Sequence, residues 1–400
     1  AASGSPMDHR ILLVGSNLHA PVVTTNATAA VPTFWVGPQL IGGDPFAATS
    51  DVFGGRVFFG VNQTSGGGAG DIVFTYYDPG QTSSEWAGNP ISAVGLVFMD
   101  KGWMAIGPSS VPFGEINFYM MTERQEGCGH DQVWIFRSPI SSIFSSPWPR
   151  NATTPLNPEA SACELTPECN YRGWAPMPVV TDDGDIVAVV CDPNTNSGGP
   201  GCYNQRRPYV IWSNDDGHTW IPESSAPIML GNNLVEAIGT RIDPQFIADT
   251  PFYVNRRTHA PTIALDRATN SVYVAFAARL DTNHSAEADW NSDIWIFRGE
   301  RDHNSGNWVF GGDADQALHL TDEMLGRTPN ADGKGPDQFV PAIAIDCAGA
   351  INLMFYDNRA ETQAPLIPDA NNIDGRPVDV YYARIRNWPG GTPDVYTKRL

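Results

Sequence analysis

The chain has 400 residues, 24 of them basic and 44 acidic, for a net charge of −20. Such a surface repels nucleic-acid phosphates and anionic membranes, so neither is an expected partner, and its first meaning is solubility in water or salt. No apolar run is long enough to span a bilayer, and 39 Gly, 33 Pro and 12 each of Trp and Tyr, with apolar residues in short runs, predict an all-β chain with few helices.

The opening "AASGSPMDHR" lacks the apolar core of a signal peptide and is compatible with what remains after one is removed. "RILLVGSN" and "TFWVGPQL" follow as two strands. A hairpin comes next, "GDPFAATSDVFGGRVFFGV" from Gly43, with a third strand running to Trp86. A second hairpin, "DKGWMAIG" from Asp100 and "GEINFYMMTE", is followed by a strand and turn ending at Trp148. Three clearer copies are "RGWAPMPVVTDDGDIVAVVCD" from Arg172, "RTHAPTIALDRATNSVYVAFAA" from Arg257 and "DQFVPAIAIDCAGAINLMFYD" from Asp337, each followed by a third strand and then Trp220, Trp308 or Trp388. Their prolines, Pro176, Pro261 and Pro341, lie 85 and 80 residues apart. Proline at the first residue of a strand costs no ladder hydrogen bond, so an innermost strand is expected to begin at each.

Five copies of a four-stranded antiparallel unit predict a β-propeller. The two N-terminal strands supply the middle of a sixth unit, and "DVYTKRL" at the C-terminus is expected to complete it, closing the ring with strands from both ends. The expected fold is therefore a six-bladed β-propeller in one domain, residues 1–400, with seven blades as the rival. Four sequons, at Asn26, Asn62, Asn151 and Asn283, and six cysteines suit a secreted glycoprotein. Small-loop disulfides are expected for Cys163–Cys169 and Cys191–Cys202, with Cys347 on the opposite face from Cys128.

The stretch "SNDDGHTW" fits S-x-D-x-G-x-T-W at Ser213, Asp215, Gly217, Thr219 and Trp220. It resembles the Asp box of the sialidase superfamily, where this motif turns the chain between the third and fourth strands of a blade. The residue chemistry agrees: Ser213 and Asp215 suit turn amides, Gly217 suits positive φ, and Trp220 suits packing between blades. No cofactor is expected. A structural calcium held by Asp215 and Asp216 is the lesser alternative, because the oxygen spacing of a dedicated loop is missing.

In antiparallel blades the first-to-second and third-to-fourth turns share one face, so the starts of the innermost strands gather at the opposite mouth of the channel. That places Asp100, Arg172, Arg257 and Asp337 at the mouth, with Asp192, Arg279 and the group Tyr356, Asp357, Asn358 and Arg359 on its rim. The sialidase resemblance implies arginines clamping a sugar carboxylate, a tyrosine nucleophile activated by a glutamate, and an aspartate as acid/base. Carried over by position, Tyr356 and Asp337 are the catalytic candidates, and Arg172, Arg257, His259, Arg359 and Asp357 the glycan contacts. An arginine motif of the family near the N-terminus and the activating glutamate have no counterpart. The expected partner is a glycan or glycoprotein recognised at the mouth and, if the chain is an enzyme, hydrolysed there as by an exo-glycosidase of sialidase type. The alternatives are a non-catalytic extracellular adhesion or assembly propeller with a protein partner and, with His259 as the base, a polysaccharide lyase.

Overall fold

In the computed structural model the described residues are 12–16, 19–24, 35–36, 43–50, 56–64, 70–77, 91–93, 99–110, 113–126, 130–139, 174–191, 208–221, 228–230, 234–235, 261–280, 293–311, 317–321, 324–325, 338–357 and 379–400. They carry strands and turns and no helix, and every strand pairing among them is antiparallel. The chain divides into two compact units, residues 1–171 with Asp215–His218, and residues 172–214 with 219–400.

Among the described residues the first unit holds three sheets. One has β1 (Leu12–Ser16), β2 (His19–Thr24) and β3 (Trp35–Val36) in that order. The next has β4 (Gly43–Ser50), β5 (Arg56–Thr64), β6 (Gly70–Tyr77) and β7 (Ile91–Ala93), again consecutive. The third has β8 (Met99–Ser110), β9 (Phe113–Glu126) and β10 (His130–Pro139). The buried rings of Phe58 and Phe118, 5.7 Å apart, join the second and third of these sheets.

The second unit also holds three. The first runs β11 (Trp174–Val180), β12 (Ile186–Cys191), β13 (Pro208–Ser213) and β14 (Ile228–Met229). The middle sheet contains β15 (Leu234–Val235), β16 (Thr262–Asp266), β17 (Ser271–Leu280), β18 (Asp293–Arg301), β19 (Trp308–Phe310) and β20 (Leu318–Leu320). In it β17 pairs with β15 and β16 on one side and with β18 on the other, while β19 and β20 are two pieces of one outer strand along β18. The last sheet is β21 (Gln338–Ile345), β22 (Ile351–Asp357), β23 (Asp379–Arg386) and β24 (Asp394–Arg399).

One apolar layer, including Val187, Val210, Trp212, Phe276, Phe297 and Trp308, joins the first and middle sheets of this unit. A second, with Ala275, Ile296, Leu318, Leu353, Phe355 and Ile385, joins the middle and last sheets. Alternation along β22 shows how the sequence does this: Ile351, Leu353 and Phe355 point into the layer while Met354 and Tyr356 lie on the opposite, exposed face.

Two expectations need correction. Pro176 and Pro341 are not the first residues of their strands but sit inside register shifts, between Trp174 and Met177 and between Phe339 and Ala342. The same shift recurs between Gly43 and Phe46, around Pro45, and between Asp100 and Trp103, where the residues are Lys101 and Gly102. A bulge leaves one residue out of the ladder, so a proline there forfeits no hydrogen bond. Only Pro261 directly precedes its strand, β16. The second correction concerns the terminus: β24 pairs with β23 over Tyr381↔Arg399 to Arg386↔Asp394 and is the fourth strand of its own sheet, not a strand of β1–β3. The short turn over residues 387–393 makes this neighbour pairing the cheap one in loop entropy.

Gly299 lies directly opposite Phe310 on the β18–β19 ladder, and the phenyl ring covers the space that a β-carbon would occupy. Gly299→Ala is therefore expected to destabilise the protein by about 1–3 kcal/mol in chemical denaturation. In a double-mutant cycle with Phe310→Ala the penalty of the alanine should largely vanish, whereas additive losses would deny the contact.

Candidate functional site

The stretch that fits S-x-D-x-G-x-T-W forms a tight turn after β13. β13 ends at Ser213, which is buried, and Trp212 and Ile221 exchange both backbone hydrogen bonds at 2.8 Å across the turn. Gly217 has φ 88° and Asp216 φ 67°, the two left-handed positions that reverse the chain, and Trp220 is buried behind it. Asp216 occupies a variable position of the motif, yet its side chain is buried and bonded on both oxygens. Its carboxylate accepts from Asn117 Nδ2 at 3.2 Å, from the Tyr119 hydroxyl and from the Arg137 guanidinium, which also donates to the Asp216 carbonyl at 3.1 Å. The second guanidinium nitrogen of Arg137 lies 2.9 Å from His218 Nε2. All these residues belong to the first unit. With Arg137 as its counter-ion, Asp216 meets its charge within the protein, and the calcium alternative loses one of its two carboxylates.

This Tyr–carboxylate–Arg set has the composition expected of a sialidase-type nucleophile but the wrong physics. Tyr119 is wholly buried, and burial together with the hydrogen bond to and charge of Asp216 pushes its phenol far above the ordinary tyrosine range. A nucleophile requires the reverse shift and an open path. The set is a structural tie that sequence reading missed, since its members are separated by up to 99 residues and no local motif links them.

The other polar group lies in the second unit, at the ends of the strands away from the first-to-second turns. Gln338, Asp357 and Asp379 stand in register across β21, β22 and β23, and so share one face. Gln338 and Asp357 are fully buried there. Directly opposed carboxylates repel across a ladder, and Arg399 answers one of them, donating to Asp379 Oδ1 at 2.7 Å. From the middle sheet, Asp293 accepts from Gln338 Nε2 at 3.2 Å on one oxygen and meets His319 Nε2 at 2.7 Å on the other. The imidazole of His319 stacks on Trp295 with ring centroids 4.0 Å apart and planes within 5°, and Trp295 is anchored through Nε1 to the Ala278 carbonyl at 3.1 Å. The imidazole is thus held through Nε2 and on one ring face, while part of its side chain, 28%, stays exposed.

Of the sequence-predicted mouth residues, Tyr356 and Asp357 are placed. They are neighbours in chain but point to opposite faces of β22, Tyr356 43% exposed and Asp357 buried. Asp337, Arg172, Arg257, His259, Arg359, Asn358 and Asp192 lie outside the described residues, as do Cys128, Cys163, Cys169 and Cys202. Asp100, Cys191 and Arg279 are placed in β8, β12 and β17 by backbone alone. Cys347 sits, as expected, in the turn between β21 and β22, exposed and unpaired. The expected sharing of a face by first-to-second and third-to-fourth turns holds in the second unit. Arg301 and Trp308, flanking the turn after β18, bond Asp185 Oδ2 in the turn between β11 and β12, at 3.1 and 3.2 Å.

No family model matches this chain, and no curated protein matches it. Among solved structures it is similar to a polysaccharide lyase described as an ulvan lyase, at 14% identity and TM-score 0.43, over 85% of this chain and 68% of that one. It is also similar to an endo-arabinase from Bacteroides thetaiotaomicron, at 12% identity and TM-score 0.40, over 80% and 90%. A Trypanosoma rangeli sialidase aligns at 15% identity and TM-score 0.32, over 56% of this chain and 30% of that one. At these scores the likenesses assign neither a family nor an activity to the chain.

Asp216→Ala removes the acceptor of three donors, two of them buried, and truncating one partner of a buried ion pair costs about 3–5 kcal/mol. The variant is expected to unfold at markedly lower urea than wild type, and Asn214→Ala, at an exposed position of the same turn, within about 0.5 kcal/mol of it. Equal effects would remove Asp216 from its role as the tie.

Proposed function

We propose that this chain is a secreted, single-domain β-propeller of six blades, of the Asp-box kind found in sialidases, which binds extracellular glycans at the mouth opposite its Asp box. The observation that carries the reading is the polar row of Gln338, Asp357 and Asp379 with Asp293 and His319, set at strand ends where the sequence pattern places the mouth. Apolar strands gain nothing from ending in buried carboxylates and amides unless those groups serve something, since each carries a desolvation cost. Arg172, Arg257, His259, Arg359 and Asp357 are the proposed glycan contacts. Tyr356 as nucleophile and Asp337 as acid/base supply the hydrolysis that the sialidase resemblance adds. Carboxyl-bearing sugars suit the arginines, whose fork of donors matches a carboxylate. The proposed disulfides, Cys163–Cys169 and Cys191–Cys202, and glycosylation at the sequons belong to the same secreted reading.

A non-catalytic binding propeller is the second reading, and a specific observation favours it. Tyr356 and Asp357 face opposite sides of β22, and the Tyr–carboxylate pair of the first unit is buried.

Fluorogenic glycosides of sialic acid, uronic acids and neutral sugars, assayed beside glycan binding to wild type, Arg257→Ala and Tyr356→Phe, separate the two. The enzyme reading expects turnover that falls at least about a hundredfold in Tyr356→Phe while glycan binding persists, as loss of a nucleophile requires. Binding without turnover, lost in Arg257→Ala, selects the non-catalytic propeller, and neither binding nor turnover on any glycan overturns both.

A further inference from the structure

A histidine that is to move protons needs one nitrogen held and the other open, and His319 in β20 meets both conditions. Its Nε2 lies 2.7 Å from Asp293 Oδ2. An ionised carboxylate only accepts, so the proton of the neutral ring sits on Nε2 and the lone pair on Nδ1. Nδ1 has no hydrogen-bond partner among the described residues and stays open to solvent.

The ring is kept in this setting from two sides. Trp295, its partner in register across β18 and β20, stacks on one face with centroids 4.0 Å apart and is itself tied to the Ala278 carbonyl. Asp293 is held in turn, since its other oxygen accepts from Gln338 Nε2 at 3.2 Å, from the last sheet. A fixed carboxylate that orients an imidazole, with the second ring nitrogen left for a substrate, is the arrangement of a general base. Through Asp293 and Gln338 this imidazole is joined to the row that continues to Asp357 and Asp379, at the strand ends proposed as the mouth.

We infer that His319 is a general base and acid acting on a polysaccharide that carries uronic acid, with Asp293 as its positioning residue, and that the chain cleaves such a polymer by β-elimination. This activity rests on the reading of those strand ends as a glycan mouth, and it needs neither Tyr356 nor Asp337. The sequence alone offered His259 for the role, and that residue lies outside the described ones. The carbon next to a uronate carboxyl bears a proton that becomes removable once the carboxyl is paired with a cation, which the arginines proposed at the mouth supply. Nδ1 takes this proton from C5, the electron pair of the C–H bond becomes the C4–C5 double bond, and the C4–O glycosidic bond breaks. The imidazolium, stabilised by Asp293, then gives the proton to the leaving oxygen. The products are one unsaturated sugar end and one new hydroxyl, and no other reactant is consumed.

Polymers of glucuronate, galacturonate and mannuronate, incubated with the full chain, test this through the ultraviolet absorbance of the unsaturated product, which hydrolysis does not form. Wild type is expected to produce it from at least one of them. His319→Gln keeps a donor for Asp293 and removes the base, and it should lose at least about a hundredfold in kcat while polymer binding persists. His319→Ala should lose as much and regain part of it when imidazole is added, and its residual activity should lack the acidic limb of the wild-type pH profile. Asp293→Asn should lower kcat at least about tenfold with KM little changed, as expected of a residue that acts through the imidazole. Polymer that is bound but left intact, or cut to new reducing ends without the absorbance, overturns the elimination and leaves the glycan mouth standing. Elimination that persists in a folded His319→Gln protein overturns the role of His319. A chain that binds no glycan at all overturns the mouth reading, and this inference with it.

Discussion

A carboxylate that leaves water for the inside of a turn must draw its hydrogen bonds from the protein, and that requirement organises the described structure. Asp216 meets it by taking Asn117, Tyr119 and Arg137 from β9 and β10. Asp185 meets it with Arg301 and Trp308, and burial leaves its pKa raised although both partners pull it down. Asp266 closes the turn between β16 and β17 through the Ala268 amide and the Thr269 hydroxyl. Asp346 repeats the device between β21 and β22 with the amides of Ala348 and Ala350 and the guanidinium of Arg384. Burial works to raise Asp346, and those bonds outweigh it and hold the carboxyl low. Its contribution to stability is thus present above the unfolded aspartate value and is lost as pH falls through the lowered folded one.

These anchored turns free the opposite strand ends for other work. The tryptophan that follows a third strand packs back on the preceding sheet, Trp308 on Asp185 and Trp388 against Tyr273 at 6.0 Å, so one end of the second unit is stapled by turn residues. At the far end the apolar alternation of β21, β22 and β23 breaks into Gln338, Asp357 and Asp379. Bulges precede or fall at the start of several innermost strands, and re-aiming side chains next to a site is what bulges do.

Much of this was legible in the sequence because it is local. Hairpins around Asp182–Gly184, Arg267–Asn270 and Cys347–Gly349 show as two apolar runs split by turn residues, and the Asp box declares its own turn through Gly217. The prolines marked the right places for the wrong reason, since a bulge and a strand start tolerate proline alike. "DVYTKRL" alternates, and alternation names a strand without naming its partner, which is set instead by the short turn after β23. The tie at Asp216 and the pairing of Asp293 with His319 and Gln338 join residues far apart in sequence, and nothing in the spacing of Asn117, Tyr119 and Arg137 announces a shared carboxylate.

Hydrogen exchange with and without an added oligosaccharide tests the proposed glycan site directly. Slowed exchange at the strand ends, in Gln338–Phe339, Tyr356–Asp357 and Asp379–Val380, is the predicted result. Exchange at those amides that is unchanged by every glycan that binds would contradict a mouth site opposite the Asp box.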